Sequence, residues 1–322
     1  MYCLEAQETS KNGIKRILLE QIDINIALLM TPGDDPDIAV HEARKNIKRL
    51  RAALRLVRGV LDPEVYHREN ICFRDAGRQL APLRDSAVLV ETIDALREQF
   101  GLAPDAFAFI RDQLVAAQMQ QRQTLLYKKK VPTAVAAILD AARTRIAAIE
   151  LPGDDFTIFA DGLECVYRSG RKRMQAAYAH PQDAHRFHDW RKRVKYLWHH
   201  SEILQLVWPV VMDRTAEELH KISSLLGDAH DLAVLQETIQ AQPQKFGASE
   251  EIDRLFVLVE QRRMELETAA YPYGQRMYAE SPKAFVKRIA TYYAVWQQYG
   301  INGIPIEVLF EEDTESATIT IL

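Results

Sequence analysis

The stretch "HEARKNIKRLRAALRLVR", residues 41–58, carries seven Lys or Arg residues and a single acidic residue, Glu42. Its apolar residues recur at every third or fourth position, which predicts an amphipathic α-helix. On a helical wheel, at about 100° per residue, His41 and most of the cations fall on one side and the apolar residues fall on another. We therefore predict a helix with one face in the core and a separate cationic stripe.

The rest of the chain is mildly acidic. Its 322 residues include 41 Lys or Arg and 45 Asp or Glu, a formal net charge of −4. A nucleic-acid coat protein is usually basic throughout, so the composition disfavours that class. Three cysteines without a CxxC pair favour a reduced, cytoplasmic protein. We also expect no membrane span, because no apolar run is long enough, and no signal peptide at the N-terminus.

Turn-forming residues divide most of the chain into segments with helical spacing of their apolar residues. We predict helix breaks at residues 81–82, 227–231 and 271–274, among others, because proline, glycine and aspartate cluster there. The chain is therefore predicted to be all-α. Only residues 300–322 alternate in the manner of strands, which predicts a short β-hairpin or an arm.

Two blocks of sequence recur at nearly the same offset. The pattern H-x-x-R-K-x-x-K occurs at residues 41–48 and again at 188–195, which is 147 positions later. The segment RDSAVLVETI (84–93) is matched by HDLAVLQETI (230–239), 146 positions later. This agreement indicates an internal duplication with about six helices in each copy. The predicted units are two pseudo-symmetric helical-bundle halves, 1–150 and 151–299, and a C-terminal tail, 300–322.

A duplicated cationic stripe needs a physical explanation. Like charges three or four positions apart on a helix repel, each pair costing a few tenths of a kcal/mol, and acidic neighbours in sequence are nearly absent. For one such run, a solvated basic face is the ordinary explanation. For two copies, a bound anion that neutralises the stripe is the better one. Basic groups spaced about 5–6 Å apart along a helix suit a chain of phosphates.

Two further basic residues hold one position of the repeat. Arg84 and His230 each directly precede an aspartate, Asp85 or Asp231. We predict that these aspartates are N-caps where a helix begins. The alternative is that they orient Arg or His side chains of the stripe.

Together these features resemble the CHAD family, the conserved histidine α-helical domain. The resemblance rests on both H-x-x-R-K-x-x-K blocks, the LAPLRD and LLGDAHD segments, YRSGR at 167–171 and the duplication, and it covers residues 8–299. It implies two helical-bundle halves around a central basic channel. It also implies a protein that binds inorganic polyphosphate without catalysis and without a cofactor.

The resemblance extends to partners and location. Relatives are often fused to, or encoded beside, a triphosphate-processing CYTH domain. This chain has no strand-rich segment of that kind, so it resembles a stand-alone member with CYTH-domain or other polyphosphate-metabolism proteins as partners. A cytoplasmic location in association with polyphosphate granules is the corresponding expectation.

Transferred position by position, the basic set of the family defines the predicted polyphosphate site. From the first half it takes His41, Arg44, Lys45, Lys48, Arg51 and Arg55, and from the second Arg168, Arg171, His188, Arg191, Lys192 and Lys195. The repeat adds Arg84 and His230. Trp198 stands where Arg51 would recur and Glu202 where Arg55 would recur, so we expect the second stripe to bind more weakly.

Two other functions remain open from the sequence. His230 and Asp231 form a doublet of the kind that binds metal in helical phosphohydrolases, although the Arg and Lys residues around His188 would repel a divalent cation. RNA binding needs aromatic side chains among the cations, and only Tyr196 and Trp198 lie beside a stripe, in one copy. A plain helical scaffold would leave the repeated stripe unexplained.

Overall fold

The prediction of an all-α protein is confirmed. The computed structural model describes residues 1–300 except Gln7, and these residues form ten α-helices and no β-strand. The helices are α1 (Ser10–Met30), α2 (Pro36–Leu56), α3 (Pro63–Gln99), α4 (Ala108–Arg122), α5 (Val131–Ala147), α6 (Thr157–Tyr178), α7 (Ala184–Ile203), α8 (Pro209–Ala241), α9 (Ser249–Met277) and α10 (Pro282–Tyr299). A π-helical turn, Gln123–Lys128, extends α4. The predicted hairpin or arm lies outside the described residues, apart from Gly300.

Three predicted breaks are wrong. Pro82 lies inside α3, Pro272 lies inside α9, and residues 227–231 lie inside α8. The described residues therefore form five helices per half rather than about six. Both prolines are exposed, where solvent can bond the backbone carbonyl that a proline leaves without a partner. The predicted N-caps are wrong for the same reason, because Asp85 and Asp231 lie within these long helices.

The long helices α3 and α8 continue because each joins two parts of the core. Their N-terminal portions pack into the larger hydrophobic cluster, with residues of α1, α2, α5, α6, α7 and α10. Their C-terminal portions pack with α4 and α9 in a second, smaller cluster. Burial on both sides of a proline or glycine outweighs a local loss of helix propensity of about 1–3 kcal/mol.

The contacts that position the site run between the halves. Within the first half, α1 packs against α2 and α5, and α3 packs against α2, α4 and α5. Within the second, α7 lies between α6 and α8. Across the two, α2 packs against α6 and α7, and α3 packs against α8. The helices that carry the duplicated motif, α2 and α7, are therefore neighbours. None of the helices described is long and apolar enough to cross a membrane.

The contact between α6 and the end of α2 depends on Gly162. A Cβ atom there would lie 2.1 Å from the backbone carbonyl oxygen of Leu56 and 2.5 Å from that of Arg55. Because backbone must move to admit it, we expect Gly162→Ala to lower the free energy of unfolding by roughly 2–3 kcal/mol. Urea denaturation measures this, with Ser169→Ala on the same helix as the control. A Gly162→Ala protein as stable as the wild type would contradict the close packing.

Candidate anion-binding site

The two motif helices begin alike and bury one face each. Each follows an aspartate N-cap, Asp35 for α2 and Asp183 for α7, whose side chain accepts a hydrogen bond from a backbone N–H two residues on. The apolar residues of both helices are buried, namely Ala43, Ile47, Leu50 and Leu54 on α2 and Phe187, Trp190, Val194 and Leu197 on α7. This burial turns the cationic sides of the two helices away from the core.

Lys48 of α2 and Lys195 of α7 belong to one electrostatic cluster. Burial, together with the positive charges of Arg191, Lys48 and Arg44, lowers the pKa of Lys195 to about 6, against the opposing effect of Asp231. Burial and the charges of Arg44 and Arg191 likewise lower the pKa of Lys48 to about 8. The cluster is thus short of negative charge.

The cluster is nevertheless open to solvent. The protein atoms around Lys48 lower its pKa. Its side chain is nevertheless exposed to solvent. A lysine with both properties lies in a recess that water and small anions can enter. Lys195 and Arg191 are half-buried beside it. A single channel through the centre of the molecule remains a prediction.

Aspartates from α3 and α8 border the cluster. Asp85 accepts an ion-pair contact of 3.0 Å from Arg44, which also donates a hydrogen bond of 3.2 Å to the backbone carbonyl of Ala81. Burial raises the pKa of Asp231, while the nearby charge of Arg191 acts in the opposite direction. The alternative interpretation of Asp85, that it orients a stripe side chain, agrees with this geometry.

Besides Arg44, five predicted binding residues lie within 3.5 Å of a carboxylate or backbone oxygen of the protein. The contacts are Lys45 to Glu42 (3.0 Å), Lys192 to Asp189 (2.5 Å), Arg84 to Glu91 (2.6 Å), Arg168 to Glu164, and Arg171 to the backbone carbonyl of Glu280 (3.3 Å). Arg168 and Arg171 thus face Glu164 and the turn between α9 and α10. In the described part of the chain, the predicted residues without an ion pair within 4.0 Å include Lys48, Arg51, Arg55, Arg191 and Lys195.

Two of the predicted histidines, both in the second half, lie together. The rings of His188 and His230 have centroids 3.8 Å apart and are tilted by 32°. Burial and nearby cations lower the pKa of His188 to about 4 and that of His230 to about 3, so both are neutral at pH 7 in the free protein. His41 lies on α2, where burial and the charge of Arg84 lower its pKa. Within residues 1–300 other than Gln7, no group of three or more His, Cys, Asp or Glu side chains is placed to hold a metal ion.

The structure adds residues that the sequence interpretation missed. The guanidinium carbon of Arg55 lies 4.5 Å from the ring centroid of Tyr196, and that of Arg193 lies 6.0 Å from it. Arg51 and Arg55 both donate to Oδ1 of Asn70, at 3.3 and 3.4 Å. Arg193 and Tyr196 are not on the α7 stripe as drawn on a helical wheel. Only the crossing of α2 and α7 brings them beside Arg51 and Arg55.

The residues that depart from the repeat are engaged within the protein. Glu202 accepts a hydrogen bond of 2.7 Å from Nδ1 of His199 and lies 3.5 Å from a guanidinium nitrogen of Arg49. Trp198 stacks on His199 at 4.9 Å. The second stripe therefore ends in a neutralised cluster at this point.

Two cavities share the Arg84–Glu91 ion pair. The larger, about 650 Å³, lies between α3, α8 and α9, and its lining includes Asp228, Asp231 and Arg262. The smaller, about 350 Å³, lies between α2, α3 and α4, and its lining includes His41. Solvent-filled space thus reaches the cationic cluster on the side of Asp231.

Comparison with known proteins agrees with this architecture. The family model of the CHAD domain matches residues 16–240. The solved structure of PptA from Streptomyces chartreusis is similar, with a TM-score of 0.57, 17% identity, and coverage of 85% of this chain and 100% of that chain. The CHAD domain from the plant Ricinus communis has a TM-score of 0.49 and 20% identity, with coverage of 90% of this chain and 94% of that chain. No curated protein matches the chain. Since the family model spans more than half of the sequence, the chain belongs to the CHAD domain family.

Proposed function

We propose that this protein binds inorganic polyphosphate and does not act on it as an enzyme. The observation that carries the proposal is the pair Lys48 and Lys195, whose pKa values are both lowered by the charge of Arg191. Among the described residues, none of these three side chains makes an ion pair within 4.0 Å. In the free protein, burial and the neighbouring positive charges lower the pKa of Lys195 to about 6, and a bound polyanion would raise that pKa and relieve the repulsion. Arg and Lys side chains bind phosphate oxygens through strong charge-assisted hydrogen bonds.

The distribution of the cations supports a chain of phosphates rather than a single anion. From Lys48, the free cations of α2 continue to Arg51 and Arg55, about 10 Å further along the helix axis at 1.5 Å per residue. A ligand that spans this length must carry negative charge in series. Each additional contact along one chain acts as an intramolecular event, so longer chains bind more tightly.

Calorimetric titration with long-chain polyphosphate tests the proposal. We expect tight binding at low salt that weakens steeply at moderate salt, because each released counterion gains less entropy when the bulk salt concentration is higher. Single-stranded RNA of matched charge is the control ligand, and free phosphate is measured in the same samples. Equal affinity for RNA would indicate a general polyanion site. Phosphate release that requires Mg²⁺ or Mn²⁺ would contradict the proposal and favour the phosphohydrolase alternative centred on His230 and Asp231.

The same proposal covers location and partners. A polyphosphate-binding protein of this family would act in the cytoplasm at polyphosphate granules, beside CYTH-domain or other enzymes of polyphosphate metabolism. Fluorescent tagging of the wild type and of a variant that has lost polyphosphate binding tests this. Granule localisation of both proteins alike would show that polyphosphate does not recruit the protein.

A further inference from the structure

Three arginines converge on one side of the crossing between α2 and α7. Arg51 and Arg55 share Oδ1 of Asn70 as an acceptor, and Arg55 and Arg193 lie over the ring of Tyr196. We call Arg51, Arg55 and Arg193 the arginine triad. Its members are only partly exposed, and Tyr196 is buried. The triad is therefore a walled group of guanidinium ions and not a run of solvated surface charges.

The triad lacks a carboxylate of its own. None of its members makes an ion pair within 4.0 Å among the described residues. The acidic residue that acts on Arg193, Asp189, is already in contact with Lys192 at 2.5 Å and Arg173 at 3.6 Å. Within the described part of the chain, the Nε atoms of Arg55 and Arg193 are buried and have no hydrogen-bond partner. Arg51 and Arg55 share a single neutral acceptor, Oδ1 of Asn70, which leaves several guanidinium donors of the triad unused among the described residues.

The sequence repeat provides an internal comparison. The offset of 147 positions that relates His41 to His188 also relates Arg55 to Glu202 and Arg49 to Tyr196. Arg49 and Glu202 are therefore the counterparts of Tyr196 and Arg55. Glu202 lies 3.5 Å from Arg49, so the protein itself supplies an anion there. Among the described residues, no acidic side chain does the same beside the triad. An anion from outside the chain would complete the triad as Glu202 completes the Arg49 cluster.

The position of the triad suits the end of a phosphate chain. Arg55 is in the last turn of α2, which ends at Leu56. At Gly162, helix α6 packs directly against the backbone carbonyls of Arg55 and Leu56. The cationic stripe therefore stops at the triad. A terminal phosphate carries about −1.5 to −2 charge near pH 7 and three acceptor oxygens, more than an internal phosphate carries. Planar guanidinium forks bind pairs of such oxygens.

We propose that Arg51, Arg55 and Arg193, held beside Tyr196 and Asn70, form a subsite for the terminal phosphate of a linear polyphosphate chain. The inference rests on the proposed function and deepens it. The chain would enter with its doubly charged end in the triad, and its next phosphates would run toward Lys48 and Lys195. The protein would then recognise chain ends and not only chain charge.

The test compares two forms of one short linear polyphosphate. In one form the ends are free. In the other, each terminal phosphate is joined to an alkylamine as a phosphoramidate, which replaces an ionisable oxygen by a neutral nitrogen. We expect the wild-type protein to bind the capped form at least about tenfold more weakly. Calorimetry or fluorescence anisotropy measures both affinities.

A variant links the difference to the triad. Arg193→Gln removes one of the three charges of the triad. In this variant we expect the preference for free ends to fall to less than about threefold. The control is Arg214→Gln on α8, an exposed residue paired only with Glu217, which should keep the full preference. Circular dichroism confirms that both variants fold.

The outcomes separate the two proposals. Equal wild-type affinity for capped and free chains, with long-chain binding intact, would overturn the terminal subsite and leave polyphosphate binding standing. A preference for free ends that Arg193→Gln retains would overturn the assignment to the triad. Absence of binding to any polyphosphate would overturn the proposed function itself.

Discussion

Replacing Lys48 by glutamate is expected to lower the affinity for long-chain polyphosphate about 100-fold or more at low salt. The substitution removes one cation from the recess and places an anion among Arg44, Arg191 and Lys195. The loss of one charge-assisted contact to phosphate costs about 1.5–3 kcal/mol, and a reversal adds repulsion to that loss. The new carboxylate would also occupy the donors that the ligand needs. Calorimetric titration at fixed salt measures the loss.

Lys45→Glu is the matched control. Lys45 lies on the same helix and is exposed as Lys48 is, but it is already paired with Glu42 at 3.0 Å. An exposed ion pair contributes only about 0–1 kcal/mol, so we expect an affinity within roughly threefold to fivefold of the wild type. Both variants change the net charge equally. Equal losses would mean that binding depends on overall charge, which would contradict a recess centred on Lys48.

The Lys48→Glu protein should remain folded. Its glutamate would face three cations that repel one another in the wild type, so we expect thermal stability to be unchanged or higher. Addition of polyphosphate should raise the Tm of the wild type, since the ligand binds only the folded state, and should not raise that of the variant. A large loss of stability in Lys48→Glu would show that the residue has a structural role.

The second large effect expected is a gain in affinity as the pH falls from about 8 to 6. In the free protein the pKa of Lys195 is about 6, lowered mainly by burial and then by Arg191, Lys48 and Arg44, against Asp231. Bound phosphates bring negative charge and raise this pKa, so the complex holds a proton that the free protein lacks. Affinity then increases by up to roughly tenfold per pH unit for each proton taken up. Below about pH 6 the gain from Lys195 ends, because the free protein is protonated as well.

Other groups extend the same trend. Lys48, with a pKa of about 8, takes up its proton at the upper end of the range. His188 and His230, with pKa values of about 4 and 3, contribute only if the bound anion raises them above the working pH. Titrations in buffers of different ionisation enthalpy count the protons taken up on binding. A count of zero at pH 7 would contradict the electrostatic description of the recess.

Lys195→Arg isolates the contribution of Lys195. An arginine stays charged across this range, so the variant needs no proton at that position when it binds. We expect it to show a flatter pH profile than the wild type, with about one proton fewer at pH 7. The comparison uses the same ligand for both proteins, which removes any titration of the phosphate ends. An identical proton count in the two proteins would exclude Lys195 as the group that titrates.

The sequence by itself was enough for the fold class and the family. Helical spacing of apolar residues is a local signal, and it held for all ten helices that the structure describes. It failed at Pro82, Pro272 and residues 227–231, where turn-forming residues lie inside helices. There the reason is tertiary, because α3 and α8 bury residues on both sides of the expected break, and α9 buries Ala270 and Gly274 on either side of Pro272.

For the candidate site, too, the sequence determined one part and left another part undetermined. The sequence determined that two helices carry a cationic stripe, because which residues share a helix face follows from their spacing. It did not determine which cations are free. Arg84 and Lys192 lie on the stripes in sequence, but the folded chain pairs them with Glu91 and Asp189.

Only the tertiary structure brought together the residues on which the proposals rest. Lys48 and Lys195 are 147 positions apart, and their pKa values fall because the packing of α2 on α7 surrounds them with protein atoms and puts like charges close together. Arg193 joins Arg55 at Tyr196 by the same crossing. Spacing along a chain specifies a helix face, whereas charge interactions and desolvation depend on distances in space, which the packing of helices distant in sequence decides.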